Sequence, residues 1–177
     1  MAQKLVRYQR TGDFHFVTFS CYRRRPNLDS PAARHLFEHS LEAMRIRYEF
    51  CVFGYVVMPE HVHLLVSEPK RAILAKAIQA LKLSVSVQRH ERPFWQARYY
   101  DFNVFTQPKH VEKLKYMHRN PVRRELVKKP EDWLWSSYTH YLTGQPGIVE
   151  IESWWTTTQR ESGLAESQVS EARPGAP

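Results

Sequence analysis

His61 and His63 flank a single valine in the run VVMPEHVHLLV, residues 56 to 66. Alternate side chains of a strand share a face, so the two imidazoles point the same way. Neutral imidazole is the commonest metal ligand, which makes the pair half of a cation site. Val62, Leu64 and Val66 take the other face, so the histidines occupy the second face of a central strand. Burying two imidazoles without hydrogen bonds or a ligand would be costly, and this favours a metal role over a purely structural one.

The run EKLKYMHRNP, residues 112 to 121, sets Tyr116 and Asn120 one helical turn apart. At about 100° per residue, Val111, Leu114, Met117 and His118 cluster on the expected core face. Tyr116 and Asn120 fall on the opposite side with Lys109, Glu112 and Lys113. Alone, such a tyrosine is equally surface decoration; beside a cation it has a chemical use. A phenol with a pKa near ~10 is a poor nucleophile at neutral pH unless its phenolate is favoured. A divalent cation helps by drawing charge onto a phosphate oxygen and holding the target in line. Two histidines and the Asn120 amide oxygen would fill part of its shell, a mixed nitrogen and oxygen set suited to Mg2+ or Mn2+. Lys109 and Lys113 would offset phosphate charge. The chemistry in view is metal-assisted attack of tyrosine on a phosphodiester.

The elements that must position these groups are legible in outline. Residues 13 to 22 read as a first strand, followed by a basic loop with Arg23, Arg24 and Arg25. Ser30 and Pro31 form an N-cap and first-turn pair, opening a helix that ends near Tyr48. Residues 50 to 58 are a second strand, Pro59 and Glu60 a tight break, and residues 61 to 67 the antiparallel return. A second helix is expected over 70 to 90, with Leu74, Ile78, Leu81 and Val85 inward. A fourth strand region spans 94 to 105, and a third helix runs from about Lys109 to Arg119. This order predicts an α+β, ferredoxin-like antiparallel sheet with helices on one face plus an added catalytic helix. The aromatic run at 131 to 142 reads as a clamp on the domain, with Trp133 and Trp135 as packing residues. The domain is expected to span 1 to 145, with 146 to 177 an extension that is disordered from about Gln159.

Composition agrees with a polyanionic partner. The chain has 177 residues and a formal net charge of +8, from 26 Lys and Arg against 18 acids. Lys4, Arg7, Arg10, Arg23, Arg24, Arg25, Arg119, Arg123 and Arg124 are candidate contacts to a nucleic-acid backbone. Interleaved aromatics, including Tyr22, Tyr99 and Tyr100, fit stacking on unpaired bases. No apolar run approaches the ~20 residues that span a bilayer, and the N-terminus lacks a signal-peptide core, so a cytoplasmic protein with no membrane partner is expected. Cys21 and Cys51 read as free thiols; their spacing excludes the usual structural zinc modules.

At His61-Val62-His63, led by Met58-Pro59-Glu60, and at Tyr116 to Asn120-Pro121, the chain resembles the single-tyrosine HUH transposases. The similarity is greatest to the REP-associated tyrosine transposases of bacteria, within the IS200-like transposases. Trp133-Leu134-Trp135-Ser136-Ser137-Tyr138 resembles the same group, and the likeness covers about residues 5 to 142. It implies Tyr116 as nucleophile and His61, His63 and Asn120 as metal ligands. It also implies cleavage of single-stranded DNA near the foot of a REP-like hairpin, through a 5′-phosphotyrosine link and a free 3′-hydroxyl. A guide sequence beside the hairpin would be read partly by the segment from about Lys4 to Arg10. Relatives include monomers and homodimers. The alternative is a domesticated protein that binds hairpin DNA or structured RNA without cutting, though a pure binder has no need of this histidine, tyrosine and asparagine set. A replication or conjugation relaxase is disfavoured by the short chain. Two-histidine phosphoesterases need paired His-x-Thr/Ser motifs, which the sequence lacks.

Overall fold

Short-range signals and β-branched strands build a βαββαβ unit, seen in a computed structural model that describes residues 13 to 171. Its elements are β1 (Phe14–Ser20), α1 (Pro31–Tyr48), β2 (Val52–Val57), β3 (His61–Ser67), α2 (Leu74–Arg89) and β4 (Tyr100–Val104). They are followed by α3 (Gln107–Arg123), α4 (Tyr138–Thr143) and α5 (Trp154–Glu171). The sheet runs β2-β3-β1-β4, all antiparallel, so the histidine strand is internal.

Sheet alternation divides the core in two. Val17, Phe19, Val62, Leu64 and Val66 face α1 and α2, meeting Phe37, Leu41, Ile78 and Leu81. Phe16, Val56, Leu65 and Val104 face the other way, where Met117 of α3 packs with Trp133. The ferredoxin-like α+β expectation holds, with α3 as the added helix on the second face. Gly54 permits that approach. A Cβ there would collide with a methyl of Leu114 and stand 3.3 Å from the Met117 sulfur.

Element boundaries moved where tertiary contacts outweigh propensity. The Ser30 hydroxyl accepts from the Ala33 N–H at 3.2 Å, so α1 begins at the expected cap. Helix α2 starts at Leu74, later than expected, because the Lys70 and Arg71 amides donate to carbonyls of Glu49 and Tyr48. Helix α3 passes Pro121 and reaches Arg123, where the Arg124 amide donates to the Asn120 carbonyl. In the fourth strand region only Tyr100–Val104 pairs continuously, while Trp95 makes an isolated bridge to Cys21.

The C-terminal part differs from the expected boundary at 145 and disorder from about Gln159. Val149 and Ile151 lie in the main core, and Ile151 bridges Val52 on the β2 edge. Beyond them α5 is helical, with the Trp155 indole donating to the Tyr141 carbonyl and Arg160 pairing with Glu150 and Glu152. Composition did not reveal this attachment, because Ile151 finds its partner Val52 on a strand far away in sequence. The aromatic clamp is as expected: Trp133 donates to the Val57 carbonyl, and the buried Arg34 guanidinium lies against both the Trp133 and Trp135 rings, which touch each other edge to face.

Candidate metal and tyrosine site

Strand register builds the site from β3 and its neighbour β1. His63 lies opposite Thr18, and His61 opposite Ser20. The Thr18 hydroxyl is 2.7 Å from His63 Nδ1, and the Glu60 carboxylate is 3.0 Å from His61 Nδ1. A carboxylate only accepts, so His61 carries its hydrogen on Nδ1 and turns a bare Nε2 inward. The two Nε2 atoms are 3.1 Å apart, and the Asn120 amide nitrogen is 2.9 Å from that of His63.

Electrostatics keep these imidazoles neutral. Burial, then His61 and Lys113, push the His63 pKa down to about 3. Burial also lowers His61, against an opposing pull from Glu60. Glu60 itself would be raised by burial, but His61 and Arg124 hold it below the usual carboxylate range. Arg124 lies 2.9 Å from its carboxylate and Arg24 3.6 Å.

The donor set fits a divalent cation. Cis ligands at ~2.1 Å from an ion stand about 3 Å apart, close to the spacing of the two Nε2 atoms. As placed, Asn120 donates toward His63; a half-turn of its amide presents Oδ1 instead. Among the described residues no group of three His, Cys, Asp or Glu side chains could hold a metal ion, and the polar group beside the two imidazoles is the Asn120 amide.

Tyr116 comes to the same place from α3. Its ring centroid is 5.4 Å from that of His63 and 6.1 Å from that of Phe16. It remains 42% exposed. A cleft of about 360 Å³ opens there, lined by Phe16, Thr18, His63, Tyr100, Glu112, Lys113 and Tyr116. The Lys113 ammonium rests over Phe16 and Phe102 at 4.9 and 4.8 Å.

The division of α3 into core and outer faces needs correction. Val111 is exposed, whereas Asn120 is buried against the histidines. The arc from Leu114 through Met117 and Lys113 to Asn120 faces the sheet, with Tyr116 at its rim. Hydropathy misread it because this face covers a polar site, so its contact residues are an amide, a lysine and a phenol.

The cations separate into groups. Lys113, Arg24, Arg123 and Arg124 lie around the site, Arg123 being 5.7 Å from the Tyr116 ring centroid. Lys109 is paired with Glu112 at 2.9 Å and is not among the cleft residues. Arg23 and Arg25 are exposed, Arg23 over the Tyr22 ring, and Arg119 lies on the outer flank of α3. Lys4, Arg7 and Arg10 fall outside the described residues. Sequence reasoning did not identify Thr18 or Glu60 as partners of the histidines. Glu60 adjoins the motif, a usable signal; Thr18 is 45 residues from His63, and only strand register brings it there.

Comparison with known proteins identifies the family. The family model described as Transposase IS200 like matches residues 9 to 120, more than half of the chain. A solved REP-associated tyrosine transposase bound to a REP hairpin superposes with a TM-score of 0.72 at 20% identity, covering 86% of this chain and 93% of that one. A putative transposase from Deinococcus radiodurans R1 aligns with a TM-score of 0.45 at 15% identity, covering 67% of this chain and 96% of that one. No curated protein matches the sequence. With its histidine strand and tyrosine helix assembled on this sheet, the chain belongs to the IS200-like transposase family.

Proposed function

We propose that the protein is a metal-dependent endonuclease and strand transferase for single-stranded DNA beside hairpins, with Tyr116 as its nucleophile. One observation carries the reading: an exposed phenol and a buried amide, one turn apart on α3, converge on two imidazoles whose Nε2 atoms face each other. His61, His63 and Asn120 would hold Mg2+ or Mn2+. Such an ion, when bound, neutralises charge on a non-bridging phosphate oxygen and orients the phosphodiester.

The remaining work falls to the chain itself. Tyr116 Oη bonds to phosphorus as the bond from phosphorus to the 3′-oxygen breaks, and the phenolic proton passes to solvent. The departing 3′-oxygen takes up a proton and becomes a free hydroxyl, while the 5′ side stays on the tyrosine. Attack by a 3′-hydroxyl on that phosphotyrosine reverses the step and rejoins strands. Arg123 and Lys113 set positive charge beside the tyrosine, where it offsets the charge of the phosphodiester. Thr18 and Glu60 fix the imidazoles. Hairpin DNA as substrate is supported by the REP hairpin held by the superposed relative and by this chain's net charge of +8.

The test is a covalent-adduct assay with Mn2+ and a hairpin oligonucleotide carrying a single-stranded flank. Wild type should give a protein-DNA band resistant to denaturation, and Tyr116→Phe should abolish it while hairpin binding persists. A band that survives Tyr116→Phe removes Tyr116 as nucleophile. Tyr100, 46% exposed in the same cleft, would then be the next candidate, ahead of the buried Tyr99.

A further inference from the structure

A second cavity lies on the flank of α3 turned away from the sheet. It measures about 470 Å³ and is lined by Lys115, Arg119, Arg123, Pro130, His118 and Tyr138. Lys115, Arg119 and Arg123 succeed one another at four-residue steps, about 6 Å of helix axis each. All three are exposed, and among the described residues none is ion-paired, whereas Lys109 pairs with Glu112 and Arg124 with Glu60. Three adjacent like charges repel at some cost, and a polyanion offsets it. The opposite wall supplies flat groups. Pro130 opens a short 3-10 turn, and the half-buried Tyr138 ring is held edge-on by His118 at 5.5 Å. His118 is itself fixed by the Ser137 hydroxyl at 2.7 Å. Arg123 joins the two regions, since its guanidinium lies over the Tyr116 ring and also lines this cavity.

We propose that this cavity binds an unpaired nucleotide of the strand engaged at Tyr116. Its base lies against Tyr138 and Pro130, and the adjoining phosphates lie along Arg123, Arg119 and Lys115. The inference rests on the DNA-strand reading of the Tyr116 site and adds a specific path for the strand leaving it. Charge along one wall and a stacking surface on the other is the combination that grips single strands without reading sequence. A purely structural role leaves three neighbouring unpaired cations beside a tyrosine-walled hollow unexplained.

The experiment measures binding of full-length protein to two fluorescent DNAs, a hairpin with a single-stranded flank and the same hairpin cut blunt. Arg119→Ala with Lys115→Ala should lower the preference for flanked over blunt DNA by about tenfold, and should flatten the salt dependence by about 0.7 per lost phosphate contact. Tyr138→Leu should reduce the preference to a similar degree, and Tyr138→Phe should restore it. An abasic scan of the flank should find one position at which removing the base equals Tyr138→Leu and adds nothing to it. Equal losses on both DNAs would assign the cations to the hairpin stem and overturn the proposal. An unchanged preference in the Arg119 and Lys115 variant, whose side chains are exposed and foldable, would overturn it as well. Wild-type binding and adduct formation in the same series report separately on the Tyr116 site. If wild type binds neither DNA, both readings fall; if it binds and cuts while the variants match it, only this one does.

Discussion

At the residue scale, other residues hold the two histidines in orientation. Glu60 accepts from His61 Nδ1, and Thr18 engages His63 Nδ1, so both Nε2 atoms converge. Partners of this kind typically tune metal affinity by ~10–100-fold. Glu60→Gln should therefore weaken Mn2+ binding by about tenfold or more in DNA-free calorimetry, with Thr18→Val showing a smaller loss. Unchanged Mn2+ affinity in both would leave the two residues as packing alone. Glu60 also gathers Arg24 and Arg124, so its amide variant should release both and alter the salt dependence of DNA binding. His61, His63, Tyr116 and Asn120 were legible from spacing, because a strand alternates and a helix turns at fixed periods. The partners were not, since Thr18 lies on another strand.

At the element scale, the decisive contact is the approach of α3 to the sheet over Gly54. The absent side chain makes room for Leu114 and Met117, and α3 carries both Tyr116 and Asn120. Gly54→Ala should cost roughly 1–3 kcal/mol through overpacking. It should also depress adduct formation by displacing the helix from the histidines. Leu114→Ala in the same chain should recover part of both losses, because the Leu114 methyl is the group a new Cβ meets first. Thermal melts and the adduct assay on the two single variants and the double variant check this; strictly additive losses would refute it. Helix existence and strand order followed from periodicity and capping, as at Ser30 and Pro31. The orientation of α3 did not, because its inward face is chosen by a polar site.

At the scale of the whole molecule, the sheet also buries a charge cluster away from the site. His15 is fully buried, with Nδ1 2.8 Å from Asp101 and Nε2 3.3 Å from Glu68. Burial lowers its pKa, but the bonds to Asp101 and Glu68 outweigh that and hold it above the usual value. A group raised on folding adds stability in full below its unfolded pKa of about 6.5, and that share fades as pH climbs through the folded value. The share of stability due to His15 should thus fade from about pH 6 to about pH 8, opposite in sign to that of the buried His61, His63, His110 and His118, whose pKa values are lowered; His15→Gln should remove it and cost most at the acid end. Denaturant titrations at several pH values give the answer; identical slopes would exclude His15 as the source. No helix among the described residues is long and apolar enough to cross a membrane.

The sequence by itself determined the element order, the shared face of His61 and His63, and the single turn between Tyr116 and Asn120. Each of these follows from the periodicity of one segment. Only the tertiary structure decided that α3 lies over the histidines and that Thr18 and Glu60 orient them. It also decided that residues 148 to 155 join the domain, with Val149 and Ile151 in its core. Those outcomes depend on strand register and on the space above Gly54. Both arise from contacts between residues tens of positions apart, which no local pattern encodes.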